Sequence, residues 1–230
     1  MPTADANGIR IHYEVHGEGR PLLLILGLGS DLSEYTALID LFAARSQVIV
    51  FDNRGAGRTD KPDAPYSIEL MAADTLGVLD TAGVTRADVL GISLGGRIAM
   101  ELALQHPDRV ERLILVSTSA RVIRKRGRAR LWPILSDLPL FRSKHPQPRY
   151  AFVRQFEAST GYDATGRLGG LGMPVLILHG ERDRVAPLAL AEEIREAIPG
   201  ARMTAFKGGH LFFLVRDPRR FLESVRDFVG

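Results

Sequence analysis

Five short runs of the 230-residue chain are apolar almost without interruption: Pro21-Leu-Leu-Leu-Ile-Leu26, Val48-Ile-Val-Phe51, Ala87-Asp-Val-Leu-Gly-Ile92, Leu113-Ile-Leu-Val116 and Val175-Leu-Ile-Leu178. A strand with one wet face alternates apolar and polar residues, whereas a strand covered on both faces does not need to. These runs therefore call for a sheet with a layer packed on each side. Between them, residues 32–45 and 67–82 have amphipathic helical spacing, and 94–105 is apolar almost all round, as expected of a helix packed deep against a sheet. Near the C-terminus, Asp217 can cap a helix with Pro218 in its first turn, and Phe221, Val225 and Phe228 fall at i, i+4 and i+7 on one face. Strand and helix alternating in this way predict the α/β class, an open and mostly parallel sheet with helices on both faces. Residues 9–15 alternate instead, and after the Gly17 to Gly19 turn the chain enters the first apolar run. This opening hairpin is expected to add an antiparallel edge.

One stretch breaks the rhythm. Residues 121–172 contain Pro133, Pro139, Pro146 and Pro148, a dense cluster of arginines and a glycine-rich exit at Gly166, Gly169, Gly170 and Gly172. The expected organisation is a core of residues 1–120 and 173–230 with a short basic lid, 121–172, inserted at the carboxyl edge of the sheet. Between 121 and 168 there are eleven Lys+Arg against three Asp+Glu, although the whole chain carries only +3. That overall charge is too small to argue for nucleic acid or an anionic membrane.

Composition excludes other chemistry. With no cysteine, disulfide scaffolds, zinc-cysteine sites, iron–sulfur clusters and thiol nucleophiles are ruled out. The first twenty residues carry Asp5, Arg10, Glu14, Glu18 and Arg20 with no apolar core, unlike a signal peptide. The longest apolar run, Leu22 to Leu26, is far short of the ~20 residues a spanning helix needs. The expected location is cytoplasmic, without stable membrane insertion.

The strongest local signal is Gly91-Ile92-Ser93-Leu94-Gly95-Gly96, directly after a buried strand and before the all-apolar helix. That is the context of a nucleophile elbow, in which a sharp strand-to-helix turn exposes the serine hydroxyl. A serine needs a base to take its proton and a carboxylate to orient the base. Downstream candidates are Asp183, in His179-Gly-Glu-Arg-Asp183 after a strand, and His210, in Lys207-Gly-Gly-His210 between the Ala201 to Phe206 strand and the last helix. Negative charge developing on a carbonyl oxygen needs preset N–H donors. The amide of Leu94 is one, and Leu28, in the loop Leu26-Gly-Leu-Gly-Ser-Asp31, is the natural second.

With these motifs, and with Asp52-Asn-Arg54-Gly55-Ala-Gly57-Arg-Thr59 and His106-Pro107-Asp-Arg109-Val110, the chain resembles the α/β-hydrolase fold superfamily over essentially its whole length, on the serine esterase and enol-lactonase side. The resemblance implies Ser93 as nucleophile, His210 as general base and acid, Asp183 as its orienting carboxylate, Leu28 and Leu94 as oxyanion-hole amides, and a lid at 121–172. Where many members begin the oxyanion loop with His-Gly, this chain has Leu26-Gly27. Serine at the elbow argues against the dehalogenases and epoxide hydrolases of this fold, which use aspartate there.

The expected activity is hydrolysis of small carboxylic esters, without cofactor or metal, nucleic acid not being a partner and a homodimer being left open. Lactone hydrolysis, carbon–carbon hydrolysis and perhydrolysis on the same triad are the alternatives, and a ligand receptor of the same fold is the non-enzyme one. Gly27, Phe212 and Trp132 are the expected substrate contacts, with packing under the last helix the alternative for Phe212 and Phe213. Glu181 competes with Asp183 for the acid role and matches the motif less well. His12, His16, His106 and His179 read as structural, Arg54 as an ion-pair residue. Arg97, charged on an apolar helix, must reach solvent or meet a carboxylate. The cluster Arg121, Arg124, Lys125, Arg126, Arg128 and Arg130 reads as a solvated lid helix, with an interfacial helix or a field that draws in acidic substrates as the other readings.

Overall fold

The computed structural model describes residues 2–123 and 144–230. Its elements, in order, are β1 (Thr3–Ala6), β2 (Ile9–His16), β3 (Arg20–Ile25), α1 (Thr36–Ala43), β4 (Ser46–Phe51), α2 (Ile68–Thr81), β5 (Ala87–Ile92), α3 (Leu94–Gln105), β6 (Val110–Val116), α4 (Arg149–Gly161), β7 (Val175–Gly180), α5 (Leu188–Ala197), β8 (Arg202–Phe206), α6 (Phe212–Val215) and α7 (Pro218–Val229). Among the described residues, eight strands form one sheet in the order β1-β2-β4-β3-β5-β6-β7-β8. From β4 to β8 every pairing is parallel, and β1 and β2 add the antiparallel edge.

The apolar runs sit where two-sided burial requires them. Along β3 and the residue after it, Leu23 and Ile25 enter one core cluster while Leu22, Leu24 and Leu26 enter the other, the two-residue period of a pleated strand. The first cluster packs under α2, α3 and α5. The second packs under α1 and α7, and contains Phe206, Phe212, Phe213, Phe221 and Phe228. On α7, Phe221, Val225 and Phe228 all face this core, and Asp217 caps the helix by accepting from the Arg220 N–H.

One expectation changes. The opening hairpin is formed by β1 and β2, not by the strands flanking Gly17 to Gly19; β4 lies between β2 and β3. Its turn is Asn7-Gly8, with φ of +47° and +74°, the pair of left-handed residues a two-residue hairpin of matching twist requires. Part of the segment after residue 120 packs on the sheet. Tyr162, Ala164, Leu168 and Leu171 are buried in the first core cluster, and Ala164 N–H bonds the Ala120 carbonyl, so the chain is back in the core well before β7. No helix among the described residues is long and apolar enough to cross a membrane.

Candidate active site

Parallel pairing from β4 to β8 brings the ends of six strands out at one edge. The loops that follow β3, β4, β5, β6, β7 and β8 carry Gly27, Asn53, Ser93, Ser117, Asp183 and His210 respectively.

Ser93 joins β5 to α3 at φ +55°, ψ −112°, a conformation that costs a non-glycine residue of the order of 1–3 kcal/mol and must be held by its surroundings. Its N–H bonds the Val116 carbonyl at 2.9 Å, and its own carbonyl accepts from Thr118 Oγ1 at 2.7 Å and from the Gly96 N–H at 3.0 Å. The flanking glycines are there for closeness: a Cβ on Gly91 would meet the Gly95 carbonyl, and one on Gly95 would strike the Ile25 carbonyl. The elbow is thus wedged between β3, β6 and its own helix. Ile92 and Leu94 on either side are buried, and Ser93 is the partly exposed residue between them.

His210 Nε2 lies 3.0 Å from Ser93 Oγ, and its Nδ1 lies 2.7 Å from Asp183 Oδ2. An ionised carboxylate only accepts, so Nδ1 carries the proton and Nε2 presents its lone pair to the serine O–H. The His210 carbonyl is tied down by Ser117 Oγ at 2.7 Å; Ser117, buried at φ +48°, caps the end of β6.

The Asp183 carboxylate is buried, and its Oδ1 accepts from the Val185 and Ala186 N–H groups at 2.8 and 3.0 Å. Burial disfavours its charge, but the His210 hydrogen bond and the two amides outweigh it and hold the carboxyl below its ordinary range. Below it, His179 is 0% exposed, with Nε2 at 2.8 Å from the Ala186 carbonyl and 3.4 Å from Asp183 Oδ2. Burial keeps this imidazole below its usual pKa, hence neutral. Glu181 is exposed at the surface of the same loop.

The loop Leu26–Asp31 faces the elbow, a Cβ on Gly27 falling 3.7 Å from Ser93 Cβ. Three side chains pin its backbone. Asn53 Nδ2 donates to the Leu26 carbonyl at 3.0 Å, Asp52 Oδ1 accepts from the Leu32 N–H at 2.9 Å, and Gln155 Oε1 accepts from the Gly29 N–H at 3.0 Å. Leu94 opens α3, where the amides of a helix's first turn lack an intrahelical acceptor.

Ser93, Asp183, His210, Gly27, Leu28 and Leu94 are thereby gathered at one edge. Phe212 is not among them: it is 1% exposed, stacks on Phe206 at 4.5 Å between ring centres and meets Phe213 and Phe221 edge-on. The short helix that follows His210 turns it beneath the loop, into the core. Trp132, and most of the basic cluster, lie outside the described residues. Arg97 is shut off from solvent and, among the described residues, meets no carboxylate. At 8% exposure its guanidinium donates to the Ser119 carbonyl at 3.1 Å and to the hydroxyls of Ser119 and Ser159, and burial pulls its pKa down to about 10. Arg54 pairs with the buried Asp74 through two bonds of 2.7 Å. Gln155 and Ser117 carry no sequence signal, because each bonds backbone atoms remote along the chain; Asn53 at least sits in a motif.

Comparison with known proteins places this arrangement in company. Residues 20–158 match the model of a family described as alpha/beta hydrolase fold. A protein of Azorhizobium caulinodans that carries the provisional name carbamate hydrolase RutD is 33% identical over 261 residues, covering 100% of this chain and 98% of its own. Among solved structures, the enol-lactonase from Burkholderia xenovorans LB400 superposes with a TM-score of 0.88 at 28% identity, over 99% of each chain. An esterase from Exiguobacterium antarcticum gives 0.88 at 25% identity, over 99% of this chain and 98% of that one.

Proposed function

Because the chain belongs to the α/β-hydrolase fold family, and is a hydrolase by that family and its relatives, we propose that it cleaves small carboxylic esters through an acyl-enzyme on Ser93. The observation that carries this reading is the unbroken chain of hydrogen bonds from Ser93 Oγ through His210 to Asp183.

In this mechanism His210 Nε2 takes the serine proton as Oγ attacks the substrate carbonyl carbon. The imidazolium that forms stands against the Asp183 carboxylate, and the carbonyl oxygen, now negative, rests on the Leu28 and Leu94 amides. Collapse expels the alcohol with the proton from His210. A water then gives its proton to the same nitrogen, attacks the acyl carbon, and the acid leaves with Ser93 restored. Deleting one oxyanion donor costs ~10²- to 10³-fold in turnover.

A second reading, hydrolysis of a lactone or carbamate, is favoured by the names of the relatives above, since the same steps open a cyclic ester or a carbamate carbonyl. Residues 121–172 are the proposed lid, its last stretch anchored to the core by the burial of Tyr162, Ala164, Leu168 and Leu171.

Ser93→Ala tests the assignment. The variant is expected to lose hydrolysis of p-nitrophenyl acetate and labelling by a fluorophosphonate while melting within a few degrees of the wild type; undiminished turnover would refute it. A graded panel of esters, lactones and carbamates separates the two readings.

A further inference from the structure

Gln155, in the middle of α4, is 0% exposed and touches neither Ser93 nor His210 by any hydrogen bond described above, yet it spends both ends of its amide on backbone. Its Oε1 accepts from the Gly29 N–H at 3.0 Å, and its Nε2 donates to the Arg54 carbonyl at 2.7 Å. A primary amide can satisfy an N–H and a C=O of two different loops at once, which a carboxylate, an ammonium or an apolar side chain cannot. Gln155 thus joins the loop after β3, the loop after β4 and α4. The fit is close: a Cβ on Gly29 would come within 3.2 Å of the Phe152 ring, one turn earlier on the same helix.

Peptide planes are rigid and trans, so a hydrogen bond aligned on the C=O or the N–H of a plane restrains the whole plane. The Leu26 carbonyl, held by Asn53, belongs to the peptide joining residues 26 and 27; the Gly29 N–H, held by Gln155, belongs to the peptide joining 28 and 29. Between them lies the single peptide that carries the Leu28 N–H. Its own carbonyl, that of Gly27, accepts from the Ser30 N–H at 3.4 Å, and with both neighbouring planes held this bond sets the direction in which the Leu28 N–H points.

We propose that Gln155 is a positioning residue of the oxyanion hole, the far anchor that aims the Leu28 amide at the developing negative charge. The inference rests on the assignment of Leu28 under the proposed function. It also makes α4 part of the catalytic frame, since this helix, within the proposed lid, grips the oxyanion loop.

Gln155→Met keeps the bulk and removes both bonds, and Gln155→Asn keeps the amide but shortens its reach. With p-nitrophenyl acetate, each is expected to lower kcat about 10- to 100-fold with KM within about threefold. Inhibition by an alkyl boronic acid, which forms a tetrahedral adduct on serine, should weaken in the same proportion as kcat/KM. Should Gln155→Met fail to fold, Gln155→Asn decides alone. A fluorophosphonate-labelled wild type whose folded variant matches it in kcat and boronate inhibition overturns this inference by itself. A wild type that no fluorophosphonate labels brings down the esterase reading and this inference with it.

Discussion

Asp183 accepts from His210 on one oxygen and from two backbone amides on the other, and every one of these bonds needs an acceptor. Replacing it by Asn inserts an N–H donor where the structure has none. Facing His210, that donor would move the imidazole proton to Nε2 and turn it toward Ser93, removing the base. Asp183→Asn is therefore expected to lower kcat by about 10⁴-fold while leaving KM nearly unchanged, read with p-nitrophenyl acetate. At this scale the sequence was legible where chemistry imposes a local pattern: Gly-Ile-Ser-Leu-Gly around Ser93, and Asp183 and His210 each in a loop after a strand. It was illegible where a residue acts on backbone far away. Gln155 bonds Gly29, 126 positions earlier, and nothing near Gln155 announces that.

At the scale of elements, the strand runs were readable because burial on both faces leaves no room for polar residues. β1 was not, since Thr3-Ala-Asp-Ala holds a single strand former, Thr3, and its other clue was the Asn7-Gly8 turn beyond it. The helix α6 shows the limit of proximity along the chain. Phe212 follows His210 by two residues, yet a helical turn sends its ring into the cluster of Phe206, Phe213 and Phe221. Phe212→Ala should consequently cost about 3–5 kcal/mol of stability, as emptying a tight core site does. Denaturant unfolding measures that loss, and KM of the folded fraction is expected to stay as in the wild type; a KM raised tenfold at unchanged stability would return Phe212 to the substrate pocket.

For the molecule as a whole, the carboxyl edge of one sheet concentrates buried ionisable groups, and stability inherits their pH dependence. His179 is held neutral, its pKa lowered by burial from the ordinary 6.5. The unfolded chain thus binds a proton that the folded chain refuses, and the contribution of His179 to stability falls as pH drops below about 6.5, by at most about 1.4 kcal/mol per pH unit. Asp183 acts in a lower window: its carboxyl is held below 3.8, so its contribution is present above that value and is lost as pH falls through the lowered one. Glu34, whose carboxyl burial pushes up to about 7, pulls the other way in both proteins, so between pH 7 and 5 the melting temperature of the wild type should fall more, or rise less, than that of His179→Gln, which keeps a donor for the Ala186 carbonyl. Equal slopes would reassign the acid sensitivity.

The account stands on Ser93 as the atom that takes the acyl group, and that is open to direct observation. Acid quenching within the first turnover of p-nitrophenyl acetate, followed by mass spectrometry of peptides, is expected to find one acetyl group per chain, on the peptide that contains Ser93, and none in Ser93→Ala. Acetyl on any other residue, or rapid turnover with no trapped acyl-enzyme in wild type and Ser93→Ala alike, would contradict it.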